Sequence, residues 1–311
     1  MKPTILSLSV TSLMILASSL CGGCSSRKER TSETAKNSLK DNLEKIISGK
    51  PGQIGIAIIT SDGDTITVNN TSDYPLMSMF KLHEALAVCH ALDKKHTGLD
   101  SIITIRRATL DPDTWSPMLQ DRQEDTFSIS VGELLRYTLI ASDNNTSNLL
   151  FDRIIPVTAT DSLIRNITPG DFQIVWKEAD MKADHSKIYD NRTSPLDFTI
   201  LVDKIFRDSI VSKEKQDFII QAMYDCNTGM NRIAAGFKTG KASFAHRTGS
   251  GYINDNGEVT AVNDGGYVCL PSGKCYSISV FIKDYAGPQE NAEKAIAEIS
   301  ETVYRYFSND R

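Results

Sequence analysis

Ile54-Gly55-Ile56-Ala57-Ile58-Ile59-Thr60, then Ser61-Asp62-Gly63-Asp64, then Thr65-Ile66-Thr67-Val68, is the stretch on which the fold turns. Two β-rich runs flank an Asp-Gly turn, the pattern of a β-hairpin. A lone hairpin is marginal in water, so it must find more strands. The other strand signals, Phe244–Arg247, Glu258–Leu270 and Cys275–Lys283, come only near the far end of the chain. Between them the pattern is mainly helical and loop-like, with helices expected at Met77–Leu92, Ser130–Ile140, Asn145–Ile154, Pro195–Arg207 and Lys213–Tyr224. Amphipathic helices over Leu39–Ile47 and about Gln289–Tyr306 bracket the whole. The expected fold is α/β (α+β). An antiparallel sheet built from both chain ends and flanked by helices (about 37–76 plus 228–311) faces an all-helical lobe (about 77–227), with the active site in the cleft between them.

The chain of 311 residues has 40% apolar and 23% charged residues, the composition of a globular protein with a sizeable core. Its net charge is −5, and no basic run is long enough to hold a phosphate backbone, which argues against nucleic acid as a partner. Residues 1–24 depart from this composition. Lys2, an apolar stretch from Ile5 to Leu20 and the small residues around Cys21-Gly22-Gly23-Cys24 read as a bacterial secretory signal, giving an exported, periplasmic protein. The apolar run is short for a membrane span and carries serines and threonines. A cysteine behind Gly-Gly also resembles a lipoprotein cleavage site, with Cys21 where a Leu is usual, and points to a lipid anchor on Cys24. Residues 25–36 read as a polar linker, and 37–311 as the folded domain. Cys269 and Cys275 flank Leu-Pro-Ser-Gly-Lys between two β-rich runs, where they could pair across a hairpin, whereas Cys89 reads as a packed free thiol.

Four short motifs carry chemistry. In Ser78-Met79-Phe80-Lys81 the three-residue spacing puts an amine beside a hydroxyl on one helix face; a serine nucleophile needs such a base, and lysine can serve if burial lowers its pKa. Ser142-Asp143-Asn144 could equally be a helix N-cap, and His246-Arg247-Thr248-Gly249-Ser250-Gly251 simply a strand entering a glycine turn. Glu178 lies in the polar, irregular stretch Trp176–Ser194 and could be an ordinary solvated acid. Each signal is modest, but their order and spacing are jointly specific. The five histidines lack metal-ligand spacing and no phosphate-binding glycine run is present, so neither a metal nor another cofactor is expected.

With these motifs the chain resembles the class A serine β-lactamases, whose pattern is S-x-x-K, S-D-N, K-T-G and a loop glutamate. It is most like the extended-spectrum branch from Bacteroides-like anaerobes, judged from Ser72-x-Tyr74-Pro75, Leu110-Asp-Pro-Asp-Thr-Trp-Ser-Pro-Met118, Arg136-Tyr137-Thr138, Ser142-Asp143-Asn144-Asn145, Ala183-Asp184-His185 and Ala245 through Gly251. The resemblance implies β-lactam hydrolysis, conferring antibiotic resistance, by a monomer. Ser78 would form the acyl-enzyme, Lys81 would help deprotonate it, Ser142 would pass a proton to the departing nitrogen and Glu178 would activate the deacylating water. The N–H groups of Ser78 and Ser250 would form the oxyanion hole. Asn144 would bind the substrate's amide side chain, Trp115 would line the cleft mouth, and Thr248, Ser250, Arg247 and Arg232 would recognise its carboxylate. Whether Lys81 or Glu178 is the acylation base stays open at this point.

The chain departs from that pattern at several positions. Arg247 replaces the usual Lys of the third motif, Lys182 replaces a common Asn four residues after Glu178, and Trp176 and Asn191 replace an Arg and its Asp partner. The loop carrying Glu178 is therefore expected to lack the usual ion pair and to fold differently. A penicillin-binding peptidase or a β-lactam sensor would share the serine and lysine but not a deacylating glutamate. A non-catalytic surface lipoprotein would be supported by the signal alone.

Overall fold

A computed structural model describes residues 22–237 and 241–309, with side chains from 34 to 308. Most of the expected signal and the residues after 309 lie outside the described residues. In chain order the elements are α1 (Gly22–Ile47), β1 (Gln53–Thr60), β2 (Thr65–Val68), β3 (Tyr74–Pro75), α2 (Phe80–Lys94), β4 (Ile102–Arg106), α3 (Pro117–Asp121), β5 (Thr126–Ser130), α4 (Val131–Ile140), α5 (Asn144–Arg153), α6 (Val157–Ile167), α7 (Glu178–Ala183), β6 (Arg192–Thr193), α8 (Pro195–Arg207), α9 (Lys213–Tyr224), β7 (Ser243–Ser250), β8 (Val259–Cys269), β9 (Cys275–Tyr285) and α10 (Gln289–Asn309). A 3₁₀ turn, Met77–Met79, precedes α2. Contacts divide the chain into a unit ending at Ser38 and a compact unit Leu39–Arg311. Helix α1 extends through the stretch read as a polar linker, where Glu, Lys, Arg and Ala are good helix formers even without an apolar face.

The main sheet is antiparallel in the order β2-β1-β9-β8-β7, so strands from both chain ends pair as the hairpin requires. Strand β1 explains the division of layers. Ile54, Ile56 and Ile58 pack into a core with Leu39 and Leu43 of α1 and with Ala292, Ile296, Ile299 and Val303 of α10. The intervening positions are smaller; a Cβ on Gly55 would meet the Tyr74 ring and Pro195 at about 2.6–2.7 Å, so glycine lets the second layer close on the sheet. The run is continuous because both faces are buried. That second layer includes α8, so the helix expected within the lobe 77–227 packs on the sheet instead. Pro195 at its first turn and the Ser194 cap fix its start, and Phe198 packs on Phe281 of β9 while the Thr199 and Ser279 hydroxyls meet at 2.5 Å. The helical part surrounds α2, buried all round from Phe80 to Cys89, with Lys81, His83 and Glu84 enclosed among its apolar side chains. Cys269 and Cys275 are disulfide-bonded across the β8–β9 turn, and Cys89 is a buried free thiol.

Candidate active site

β7 is an edge strand, and the turn carrying Ser78 packs against it. A Cβ on Gly249 would lie 2.7 Å from the Leu76 carbonyl and 3.1 Å from Met77 and Met79, so only glycine admits this approach. Met77 has φ +44° and Ser142 φ +60°, left-handed backbone at two non-glycine residues that line the same cleft. Such conformations cost roughly 1–3 kcal/mol each and persist where surrounding structure enforces them. The cleft, about 320 Å³, is lined by Met77, Ser78, Trp115, Ser142, Asn144 and Glu178 on one side and by Thr228, Thr248, Ser250 and Tyr252 on the other.

At its base Lys81 Nζ is fully buried and touches five oxygens: Ser78 Oγ at 3.1 Å, the Ser142 carbonyl at 2.9 Å, Asn144 Oδ1 at 2.6 Å, Glu178 Oε1 at 2.8 Å and, more distantly, Ser142 Oγ. The Ser78 hydroxyl donates to Glu178 Oε1 at 3.0 Å. Burial lowers the Lys81 pKa, opposed by the attraction of Glu178, so the amine is poised to exchange a proton. Ser142 Oγ lies 3.4 Å from Lys81 Nζ and accepts from Arg247 at 2.6 Å, which connects lysine, serine and guanidinium in one chain. Gly251 N–H donates to Ala261 of β8, so by strand alternation the Ser250 N–H points off the open edge of β7 toward the cleft.

Both arginines lie behind the cleft wall rather than in it. Arg247 is fully buried, and its guanidinium donates to the Ser78 carbonyl (3.0 Å), the Leu139 carbonyl (3.0 Å) and Ser142 Oγ. Arg232 donates to the Gly249 and Asn263 carbonyls, to Ser250 Oγ at 2.6 Å and to Glu293. Neither guanidinium lines the cleft, and each donates instead to a hydroxyl that does, Ser142 for Arg247 and Ser250 for Arg232. A longer, forked side chain in a site already ringed by carbonyls is held by those carbonyls. Asn144 lines the cleft with its amide engaged by Lys81 and by Thr114. Trp115, 58% exposed, donates its Nε1–H to the Ala141 carbonyl and stands at the mouth.

The loop 176–194 contains α7, whose first residue is Glu178, rather than irregular chain throughout. Its neck is closed by buried Asn191, which accepts from the Val175 and Trp176 N–H groups and donates to the Trp176 carbonyl, in place of an ion pair. Lys182 turns away to Asp111 at 2.6 Å. The far end is tied to the sheet side by His185, stacked on Tyr252 at 4.2 Å. Sequence reading did not single out Met77, Thr228 or Tyr252; the only available signal was adjacency to the motifs.

A serine in contact with a buried lysine and a carboxylate, beneath an edge strand that offers an N–H, defines a serine acyl-transfer enzyme. The Beta-lactamase enzyme family matches residues 38–307, and the chain belongs to it. A β-lactamase of Phocaeicola vulgatus is 44% identical over 303 residues, 96% of this chain and 94% of that relative. The extended-spectrum β-lactamase PER-1 of Pseudomonas aeruginosa is 31% identical over 269 residues, 86% of this chain and 87% of its own. A crystal structure of a class A β-lactamase from Bacteroides cellulosilyticus superposes with a TM-score of 0.84 at 28% identity, covering 89% of this chain and 99% of that one.

Proposed function

We propose that this serine β-lactamase opens the β-lactam ring by a two-step route in which Ser78 is the nucleophile and Glu178 takes part in both steps. The observation that carries the reading is the direct Ser78 Oγ–Glu178 Oε1 contact, made beside the Lys81 amine. In acylation Ser78 Oγ bonds to the ring carbonyl as its proton passes to Glu178, and Lys81 stabilises the charge. The oxyanion sits between the Ser78 and Ser250 N–H groups, and the ring C–N bond breaks as Ser142 Oγ–H protonates the nitrogen; Lys81 returns that proton through the 3.4 Å contact and takes back the one held by Glu178, 2.8 Å away, which leaves Glu178 ionised for the second step. In deacylation Glu178 takes a proton from water, the hydroxide adds to the ester carbonyl, and Ser78 Oγ leaves with the proton.

The Thr228, Thr248 and Ser250 hydroxyls receive the substrate carboxylate, with Arg232 and Arg247 supplying positive charge from behind. Export to the periplasm is supported by the sequence of residues 1–24, anchorage by the lipoprotein-like Cys24, and a monomeric enzyme by a cleft assembled from one chain. Purified protein is expected to turn over a chromogenic cephalosporin, and Ser78→Ala to abolish turnover. Undiminished hydrolysis by that variant would remove Ser78 from the reaction.

A further inference from the structure

The short helix that carries Glu178 is held in place from outside itself. Its 6 residues are too few to keep a helix in water, where isolated helices need about 12–15. On one side α7 is tied to α5: Lys177 pairs with Asp152 at 2.6 Å, and the Ala179 N–H donates to Asn148 Oδ1 at 3.1 Å. On the other, Lys182, one turn beyond Glu178, reaches Asp111 Oδ2 at 2.6 Å. The hydrolytic route gives that lysine no part.

Asp111 is itself firmly placed. Its main chain pairs in both directions with the buried Asn145 amide of α5, the N–H donating to Oδ1 at 3.0 Å and the carbonyl accepting from Nδ2 at 2.9 Å. Its Oδ1 accepts from the Asp113 N–H at 2.9 Å. Further along the same loop, Thr114 Oγ1 accepts from the Asn144 amide and the Trp115 carbonyl from the Asn144 N–H, while Asn144 Oδ1 accepts from Lys81. The Lys182–Asp111 pair therefore joins the helix of the carboxylate to the loop that fixes the amide beside the buried lysine. The hydrogen bond from Lys182, with that from the Asp113 N–H, holds the Asp111 carboxyl below its ordinary value, so it is charged at neutral pH.

We propose that Lys182 and Asp111 are positioning residues for deacylation, an ion-pair strap that keeps the Glu178 carboxylate over the reacting ester. The inference rests on the hydrolytic reading above, whose two steps depend on the strap unequally. In acylation Lys81 is a second acceptor for the Ser78 proton, 3.1 Å away on α2, which the strap does not hold. In deacylation the water has Glu178 alone as its base, so a carboxylate that wanders slows the step directly. With side chains 37% and 34% exposed, the pair is also open to screening by salt.

Rapid quench and intact mass spectrometry of the full-length protein with a penicillin separate the two steps. Lys182→Met, which keeps the apolar stem and loses the charge, and Asp111→Asn should each slow deacylation about two- to fivefold, the effect of a partly exposed ion pair, and leave acylation at the wild-type rate. More of each variant should then carry the drug at steady state. The double variant should be no slower than the slower single one, and molar salt should slow deacylation in wild type but not in the double variant. Unchanged deacylation in both single variants, an equal loss in both steps, or single effects that multiply in the double variant would overturn the proposal. Deacylation at the wild-type rate in Glu178→Gln would instead overturn the hydrolytic reading, and the strap's role with it.

Discussion

Replacing Arg247 by Ala separates support of the catalytic groups from direct recognition of substrate. The guanidinium makes one bond to Ser142 Oγ and two to main-chain carbonyls, those of Ser78 and Leu139. A hydrogen bond from a charged donor is worth about 1.5–3 kcal/mol. Loss of the one to the proton-relaying Ser142 should therefore lower the acylation rate roughly 10- to 150-fold at about 1.36 kcal/mol per factor of ten. The two orphaned carbonyls add a stability cost of about 1–3 kcal/mol each, large beside a total of about 5–15 kcal/mol. Arg247→Lys, which keeps the charge but not the fork, should fall between wild type and Ala in both respects. Rapid-quench measurement of acylation by a penicillin, alongside thermal melts, reads the two effects. If Arg247→Ala retained its acylation rate and melting temperature while KM rose, the guanidinium would be touching the carboxylate itself and the reasoning would fail.

Glu84, fully buried one turn beyond Lys81, accepts from Ser147 at 2.7 Å while its other oxygen has no partner among the described residues, and burial holds its pKa well above the ordinary carboxylate value. The unfolded chain ionises this group above about pH 4.5 and the folded chain does not, so its effect on stability worsens as pH rises. Glu84→Gln should gain on wild type in urea midpoint between pH 5 and 8; a constant difference across that range would show the carboxyl to be ionised in the fold. For the proposed anchor, Cys24→Ala should move the protein from the membrane fraction to the soluble periplasm, and a wild type already wholly soluble would dismiss it.

The sheet was legible because β1 is too apolar to lie on a surface and its turn has an Asp-Gly signature, which forces partners from the other chain end. Other elements were hidden by physical causes. Strands β4 and β5 form a small ribbon with exposed alternate residues, and α6 is rich in β-branched Val, Thr and Ile, which lower helix propensity until Thr160 and Ile164 are buried. The meeting of Ser78, Lys81 and Ser142 was legible because local spacing puts Ser78 one turn before Lys81 and Ser142 just before the Asp143 cap of α5. The positions of Arg247 and Arg232 were not, because carbonyls from distant segments decide them: Ser78 and Leu139 for one, Gly249 and Asn263 for the other. The neck of the Glu178 loop was half legible. The missing ion pair could be read from Trp176 and Asn191, but the amide's substitution for it through backbone bonds could not.

The central claim is that Glu178 serves the hydrolytic water as well as Ser78, and intact mass spectrometry of Glu178→Gln mixed with a penicillin tests it most directly. The amide keeps the side chain's size and loses its basicity, while Lys81 remains 3.1 Å from Ser78 as a second acceptor for the serine proton. Attack should continue at a reduced rate and release should nearly stop. The account predicts a burst followed by arrest, with the mass of the drug on the protein and no adduct on Ser78→Ala. Steady turnover at the wild-type rate, with no adduct accumulating, would contradict it.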